Sequence, residues 1–269
     1  MRLMLTVAAV LVFSVGISLF LLTERTDDYF AWTIANPLTA AFLGAGYWAS
    51  GALELWASRE RFWANARIAV PAVIVFTVLT LFVTLIHWDR FHFDDPAFIT
   101  KTGTFFWLGV YAIVPVIMTA AFLQVGWSTG AASDPGGCIP PVARWVLIGQ
   151  AAVMVCLGLA LLVAPLDARD VWPWALTDLT GRAIGAWLFA IGIGAVHTLF
   201  ENDLRRTRGM LVSYTLLAGL QFIALARYSD VLDWGEPGIW LYVAFLASML
   251  ICGTELGRRS LALKDGPIA

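Results

Sequence analysis

The chain has 269 residues, 60% of them hydrophobic and 13% charged, with a mean hydropathy of +0.79 and a formal net charge of −2 at pH 7. Soluble domains are about 45–50% apolar and about 25% charged. This chain therefore has more apolar surface than one soluble core can bury, and a lipid bilayer is its expected solvent. The small net charge and the lack of a long basic run exclude a nucleic-acid partner.

Eight apolar segments are long enough, or nearly so, to cross a bilayer as helices, because about 20 residues span the roughly 30 Å of hydrocarbon. They occupy residues 3–22, 38–57, 68–86, 104–124, 144–165, 183–200, 208–226 and 238–256. The segments lack the alternation of barrel strands. The sequence therefore predicts an all-α polytopic membrane protein with eight transmembrane helices. The first segment is too long for a cleavable signal, so we expect it to be retained.

A constant spacing relates the two halves of the chain. Thr39 and Thr180 are 141 residues apart, and both follow a leucine. The same offset pairs Gly44 with Gly185, Gly51 with Gly192, Glu60 with Glu201, Arg67 with Arg208, Asp89 with Asp230, and Pro96 with Pro237. We therefore predict two parallel four-helix repeats, at residues 1–125 and 144–269, joined by a cytoplasmic linker at 126–143.

Charge distribution predicts the orientation. If the N-terminus is cytoplasmic, 11 of the 17 lysines and arginines lie on the inner side and 12 of the 19 acidic residues lie on the outer side. This bias follows the positive-inside rule. We expect an inner (plasma) membrane protein with both termini in the cytoplasm.

Polar residues at the predicted outer ends of the helices could form a site. Arg182 lies about one turn inside a helix that begins near Leu179, whereas the matched position in the first half is Ala41. An arginine at this depth either binds a ligand or pairs with an acid, and Asp89 and Asp230 are the nearest candidates. The predicted ligand-binding residues are Arg182, Asp89, Asp230, His87, Trp174 and Asp178.

The aromatic residues of this region suggest an interface. Trp172 and Trp174 are typical of side chains that anchor a protein at the headgroup layer. At the inner side, Glu54 is either part of a proton relay with a histidine or is solvated or paired with Arg59, Arg61 or Arg258.

Three functions are consistent with these patterns. The preferred one is non-catalytic: binding or transport of a small amphipathic or lipid-like ligand in an outward-facing cavity between the repeats. The second is an outer-face enzyme for a lipid-linked substrate, with an acid–base or metal set made of His87, Asp89, His92 and Asp95. The third is an accessory subunit without a ligand, which packs in a homo-oligomer or larger membrane complex.

No cofactor is expected, because the chain has no phosphate-binding loop and its three cysteines are not spaced for a metal. His87 and His92 are five residues apart, which is not the spacing of a helical ligand pair. We therefore expect no metal, and membrane lipids as the main partners.

Overall fold

The computed structural model describes residues 2–125 and 136–263, and all secondary structure in this part of the chain is helical. The long helices are α1 (Arg2–Phe20), α2 (Pro37–Arg59), α3 (Val70–Ile86), α4 (Phe98–Val125), α5 (Pro141–Val163), α6 (Asp178–Glu201), α7 (Arg208–Arg227) and α8 (Pro237–Leu261). Short helical turns lie at Thr23–Arg25, Thr26–Tyr29, Trp63–Ala66, Arg67–Ala69, Trp88–Arg90, Pro165–Ala168, Arg169–Val171 and Ser229–Val231. Much of the predicted linker 126–143 lies outside the described residues.

Seven helical segments are long and apolar enough to cross a membrane, so the chain is a multi-pass membrane protein. Six of them are α1 and α4 to α8, and the seventh is α3 with the turns before it, Trp63–Ile86. The remaining predicted segment, 38–57, forms α2, which has 23 residues but is not among the seven. Residues 38–47 of α2 are all buried. Neighbouring helices shield α2 from lipid, so it does not need a strongly apolar surface.

The helices pack in pairs. In the first half α1 packs on α2 and α3 packs on α4, and in the second half α5 packs on α6 and α7 packs on α8. Two further pairs cross between the halves, α2 with α7 and α3 with α6. The helices α2, α3, α6 and α7 therefore form the centre of the bundle, and α1, α4, α5 and α8 lie outside it.

Matched glycines allow the closest of these contacts. A Cβ atom on Gly44 of α2 would lie 2.6 Å from the backbone nitrogen of Phe20 in α1. A Cβ atom on Gly185 of α6 would lie 2.8 Å from the backbone oxygen of Gly158 in α5. Only a residue without a side chain fits at such distances, and small residues are the usual means of close helix packing in membranes.

We call the end of the bundle that carries residues 21–36, 87–97, 164–177 and 228–236 the outer end, after the predicted orientation, and the other the inner end. At the outer end the Trp174 indole donates to the Thr39 hydroxyl at 2.9 Å. At the inner end Arg67 pairs with Glu201 at 2.7 Å. Both contacts join the two halves of the chain.

Candidate functional site

The outer polar cluster consists of Arg182, His87 and Asp178. Arg182 lies in the first turns of α6, where Thr177 caps the helix: its hydroxyl accepts from the Thr180 amide, and the Thr180 hydroxyl accepts from the Thr177 amide. His87 ends α3. The packing of α3 on α6 brings these two helix ends together.

Arg182 binds His87 rather than an acid. Its Nη1 donates to His87 Nε2 at 3.0 Å, and its Nε donates to the Leu162 carbonyl at 3.1 Å. Because Nε2 accepts this bond, the proton of the neutral imidazole is on Nδ1. Burial, and then the positive charge of Arg182, lower the pKa of His87. A neutral histidine thus contacts a permanent cation across the two halves.

Asp178 adds a negative charge to the cluster. Its carboxylate, like that of Asp89, acts on His87 and opposes the lowering of the pKa. The Oδ1 atom of Asp178 is buried and has no hydrogen-bond partner among the described residues. Because buried polar atoms normally have a partner, this oxygen is open to a donor from a ligand or water.

The predicted salt bridge between Arg182 and Asp89 or Asp230 is wrong. Asp89 pairs with Arg90 at 3.2 Å, and both of these side chains are largely exposed. Asp230 is exposed in the turn after α7. Both acids lie where the helix ends meet solvent, whereas Arg182 points toward the C-terminal end of α3.

The two tryptophans at 172 and 174 are core residues rather than interface anchors. Each is 6% exposed. Trp174 packs on Phe42 and Tyr242, and the Trp172 ring is 5.6 Å from that of Tyr242. The segment between α5 and α6 therefore folds inward, and its hydrogen bond to Thr39 connects it to α2.

Two of the residues proposed for an enzyme, His92 and Asp95, have hydrogen-bond partners of their own. His92 is held by the backbone oxygen of Phe30 at 3.1 Å and the hydroxyl of Thr33 at 3.0 Å. Asp95 accepts from the Ala97 amide at 2.7 Å. Within residues 2–125 and 136–263, no group of three or more histidine, cysteine or acidic side chains is arranged to hold a metal.

The centre of the bundle is tightly packed. A cavity of about 40 Å³ lies between α2, α3, α6 and α7, against Phe76 and Trp187. A second, of about 20 Å³, lies toward the outer end, between Trp32, Trp107 and Ala183. One water molecule needs about 10–15 Å³ by this measure. These spaces accept a few waters at most, so neither is the lipid-sized cavity predicted between the halves.

A larger cavity opens sideways in the first half. It lies between α1, α2 and α4 and has a volume of about 240 Å³. We call it the lateral cavity. Exposed residues of both outer helices lie at its edge, Ser14 on α1 and Ile99, Gly103 and Phe106 on α4. Its lining is mostly apolar, with hydroxyl groups contributed by Ser14, Ser18, Thr100, Tyr29, Tyr47 and Tyr111.

Between α5 and α8, side chains form a bridge near the middle of the helices, and a mostly apolar cavity of about 400 Å³ lies at the inner end. The Gln150 side chain on α5 donates to Ser248 on α8 at 2.8 Å and accepts from Tyr214 on α7 at 2.9 Å. In the first half, two tyrosines line the lateral cavity instead, and the hydroxyls of Tyr47 and Tyr111 are 2.6 Å apart.

Glu54 is buried at the inner end of α2. Its side chain is 1% exposed and accepts one hydrogen bond, from Ser50 at 3.0 Å. No described arginine lies within ion-pair distance, so the predicted solvation or pairing with Arg59, Arg61 or Arg258 is wrong. In the sequence, the position 141 residues after Glu54 is Ala195, so the acid is present in one half of the chain and absent from the matched position of the other.

Comparison of the chain with protein-family models, with curated proteins and with solved structures gives no match.

Proposed function

We propose that the protein binds an amphipathic, lipid-like molecule in the lateral cavity. The observation that carries this proposal is an apolar cavity of about 240 Å³ whose edge is formed by exposed residues of two membrane helices. A ligand dissolved in the bilayer would reach it directly from the lipid. Mostly apolar walls with a few polar groups are typical of small-molecule sites.

The chemistry of the lining suggests how such a ligand is held. An acyl or isoprenoid chain would pack on Leu11, Val15 and Val110, and the hydroxyl groups would bind a neutral polar head. Charged side chains do not line the cavity. The proposed ligand is therefore neutral within the cavity, such as a fatty alcohol, a quinone or a diacylglycerol.

The outer polar cluster is proposed as a separate polar contact rather than as the mouth of the same cavity. Trp107 lines both the lateral cavity and the small outer cavity beside Ala183, the residue after Arg182. A ligand that moves Trp107 would act on the α3–α6 contact made by His87 and Arg182.

The repeat architecture is part of this proposal. The matched pairs α1–α2 and α5–α6, α3–α4 and α7–α8, and α2–α7 and α6–α3 are what two parallel repeats would give, with all eight long helices crossing the membrane. The two outer gaps then differ near their middle, since Gln150 bridges α5 and α8 whereas the lateral cavity lies between α1 and α4.

The test is a variant whose new side chain occupies part of the lateral cavity. A Cβ atom on Gly103 meets no atom within 4 Å, and Gly103 lines the cavity, so Gly103→Leu would occupy it without a backbone clash. Gly109 is on the same helix, also has open space around it and does not line the cavity, so Gly109→Leu is the matched control. Each protein is placed in nanodiscs with a photoreactive neutral lipid, and the labelled peptides are mapped by mass spectrometry.

We expect Gly103→Leu to reduce labelling of α1 and α4 at the cavity by roughly tenfold or more. The leucine side chain would replace ligand atoms in the cavity, and the ligand would lose about 1.5–3 kcal/mol of binding free energy from apolar contact. Gly109→Leu should label like the wild type. Equal labelling in all three proteins would contradict the proposal.

The accessory-subunit alternative is favoured by one observation, the tight central packing around the cavity of about 40 Å³. It predicts that no lipid is retained in the lateral cavity. Native mass spectrometry of the purified protein distinguishes the two, because a retained neutral lipid that Gly103→Leu removes is expected only for a binding protein.

A further inference from the structure

Glu54 is an acidic side chain buried without a cation. One carboxylate oxygen, Oε1, accepts from Ser50 at 3.0 Å. The other, Oε2, is buried and has no hydrogen-bond partner among the described residues. Glu54 lies five residues before the end of α2, so it is about 8 Å along the axis from the last residue of the helix.

The charged and titratable groups at this end of the neighbouring elements have other partners. Arg2 donates to the carbonyls of Glu60 and Arg61. Arg67 and His197 both pair with Glu201. Arg208 donates to Ser260, and Tyr214 donates to Gln150. None of them lies within ion-pair distance of Glu54.

An ionised carboxylate in these surroundings would be an uncompensated buried charge, which proteins normally avoid. A neutral carboxylic acid avoids that charge and turns its second oxygen into a donor. Acidic side chains inside membrane proteins commonly mark proton pathways for this reason.

Glu54 is also connected to the lateral cavity. Tyr47, Ser50 and Glu54 are three and four residues apart on α2, so they lie on one face of the helix. A negative charge on Glu54 would interact electrostatically with the Tyr111 hydroxyl of α4, without a hydrogen bond between the two described side chains. That hydroxyl is 2.6 Å from the hydroxyl of Tyr47, and both tyrosines line the cavity.

We propose that Glu54 is a proton-binding site, and that its proton occupancy sets the ligand affinity of the lateral cavity through Tyr111 and Tyr47. A charged Glu54 orients the Tyr111 O–H toward itself, so Tyr47 must donate to Tyr111. When Glu54 is neutral, the two tyrosine hydroxyls are no longer held in this donor order, and one hydroxyl hydrogen is available to a ligand. The second part of this proposal rests on the proposed function, whereas the first part does not.

The first experiment detects the proton without any ligand. Infrared spectra of the protein in nanodiscs at pH 7 should show the C=O absorption of one neutral carboxylic acid per chain, and Glu54→Gln should lack it. Glutamine retains the acceptor for Ser50 and supplies a donor in place of the acid O–H, so the fold is preserved. Glu24→Gln, at an exposed position, is the control and should retain the absorption.

Raising the pH should remove the absorption, and the ratio of neutral to ionised Glu54 should change about tenfold per pH unit. Ser50→Ala keeps the carboxyl group and should shift the frequency of the absorption, because the hydrogen bond to Oε1 is lost. Spectra of the wild type and Glu54→Gln that agree in the carboxylic acid region at every pH would overturn the proton site.

The second experiment measures photolabelling of the cavity by the neutral lipid over the same pH range. Wild-type labelling should change in step with the infrared absorption, and Glu54→Gln labelling should not depend on pH. An infrared absorption from Glu54 combined with pH-independent wild-type labelling would overturn the coupling and leave the proton site in place. Failure of Gly103→Leu to reduce labelling would instead reject the cavity as the ligand site.

Discussion

The ion pair between Arg67 and Glu201 should be a strong contact between the halves. Its two hydrogen bonds measure 2.7 and 2.8 Å, and the two side chains are 8% and 5% exposed. Close charge pairs at protein interfaces couple by about 1.5–7 kcal/mol in double-mutant cycles. Arg206 also donates to Glu201, at 3.3 Å, and it would remain after Arg67 is replaced. We therefore expect a coupling near the lower end, about 2–3 kcal/mol.

The cycle consists of Arg67→Met, Glu201→Gln and the double variant. Unfolding is followed by tryptophan fluorescence in mixed micelles with increasing sodium dodecyl sulfate, and the free energy of unfolding is compared for the four proteins. The exposed pair of Arg258 and Glu255 on α8 is the control, and its coupling should be too small to measure. A coupling for the buried pair no larger than that of the control would refute the reasoning, because burial and bidentate geometry would then add nothing.

Two further predictions concern the outer end and the packing of α5 on α6. The pKa of His87 is lowered in the folded protein. The neutral imidazole therefore contributes stability above about pH 6.5, the ordinary pKa of histidine, and this contribution is lost as the pH falls from about 6.5 toward the lowered pKa. Thermal midpoints between pH 7.5 and 5 should therefore fall in the wild type and fall less in His87→Asn; parallel curves would contradict the assignment. Gly185→Ala should lower the free energy of unfolding by about 1–3 kcal/mol, because the new Cβ meets backbone atoms of α5 at 2.8 and 2.9 Å. The exposed Gly149→Ala should not lower it, and equal destabilisation of the two variants would show that close packing is not the cause.

Helix positions could be predicted from the sequence because hydropathy determines where a chain can cross a bilayer. The predicted segment 208–226 corresponds to α7 at Arg208–Arg227. The segment 104–124 was too short, since α4 begins at Phe98 and includes Lys101. Hydropathy does not detect a helical turn that extends past the apolar region with polar residues. It also did not separate α2, which is shielded by neighbours, from helices that face lipid.

The site was less predictable because its contacts depend on which helices meet. The sequence indicated that Arg182 is unusual, but its partner, His87, follows from the packing of α3 on α6. Trp174 has the composition of an interface residue, and only the fold of the segment before α6 shows that it is buried. The lateral cavity depends on the separation of α1 from α4, and no residue pattern encodes that distance directly.

The packing of α2 in the first half against α7 in the second half has a consequence for synthesis. The Gln221 side chain of α7 donates to the Phe42 carbonyl of α2, and these residues are 179 positions apart. At about 5–20 residues per second, α2 would wait roughly 10–40 s in the membrane before α7 is made. During that time the buried face of α2, including Glu54, must be covered by lipid, by the insertion machinery or by α1. The central face of α2 is therefore exposed to misassembly until the second half is made.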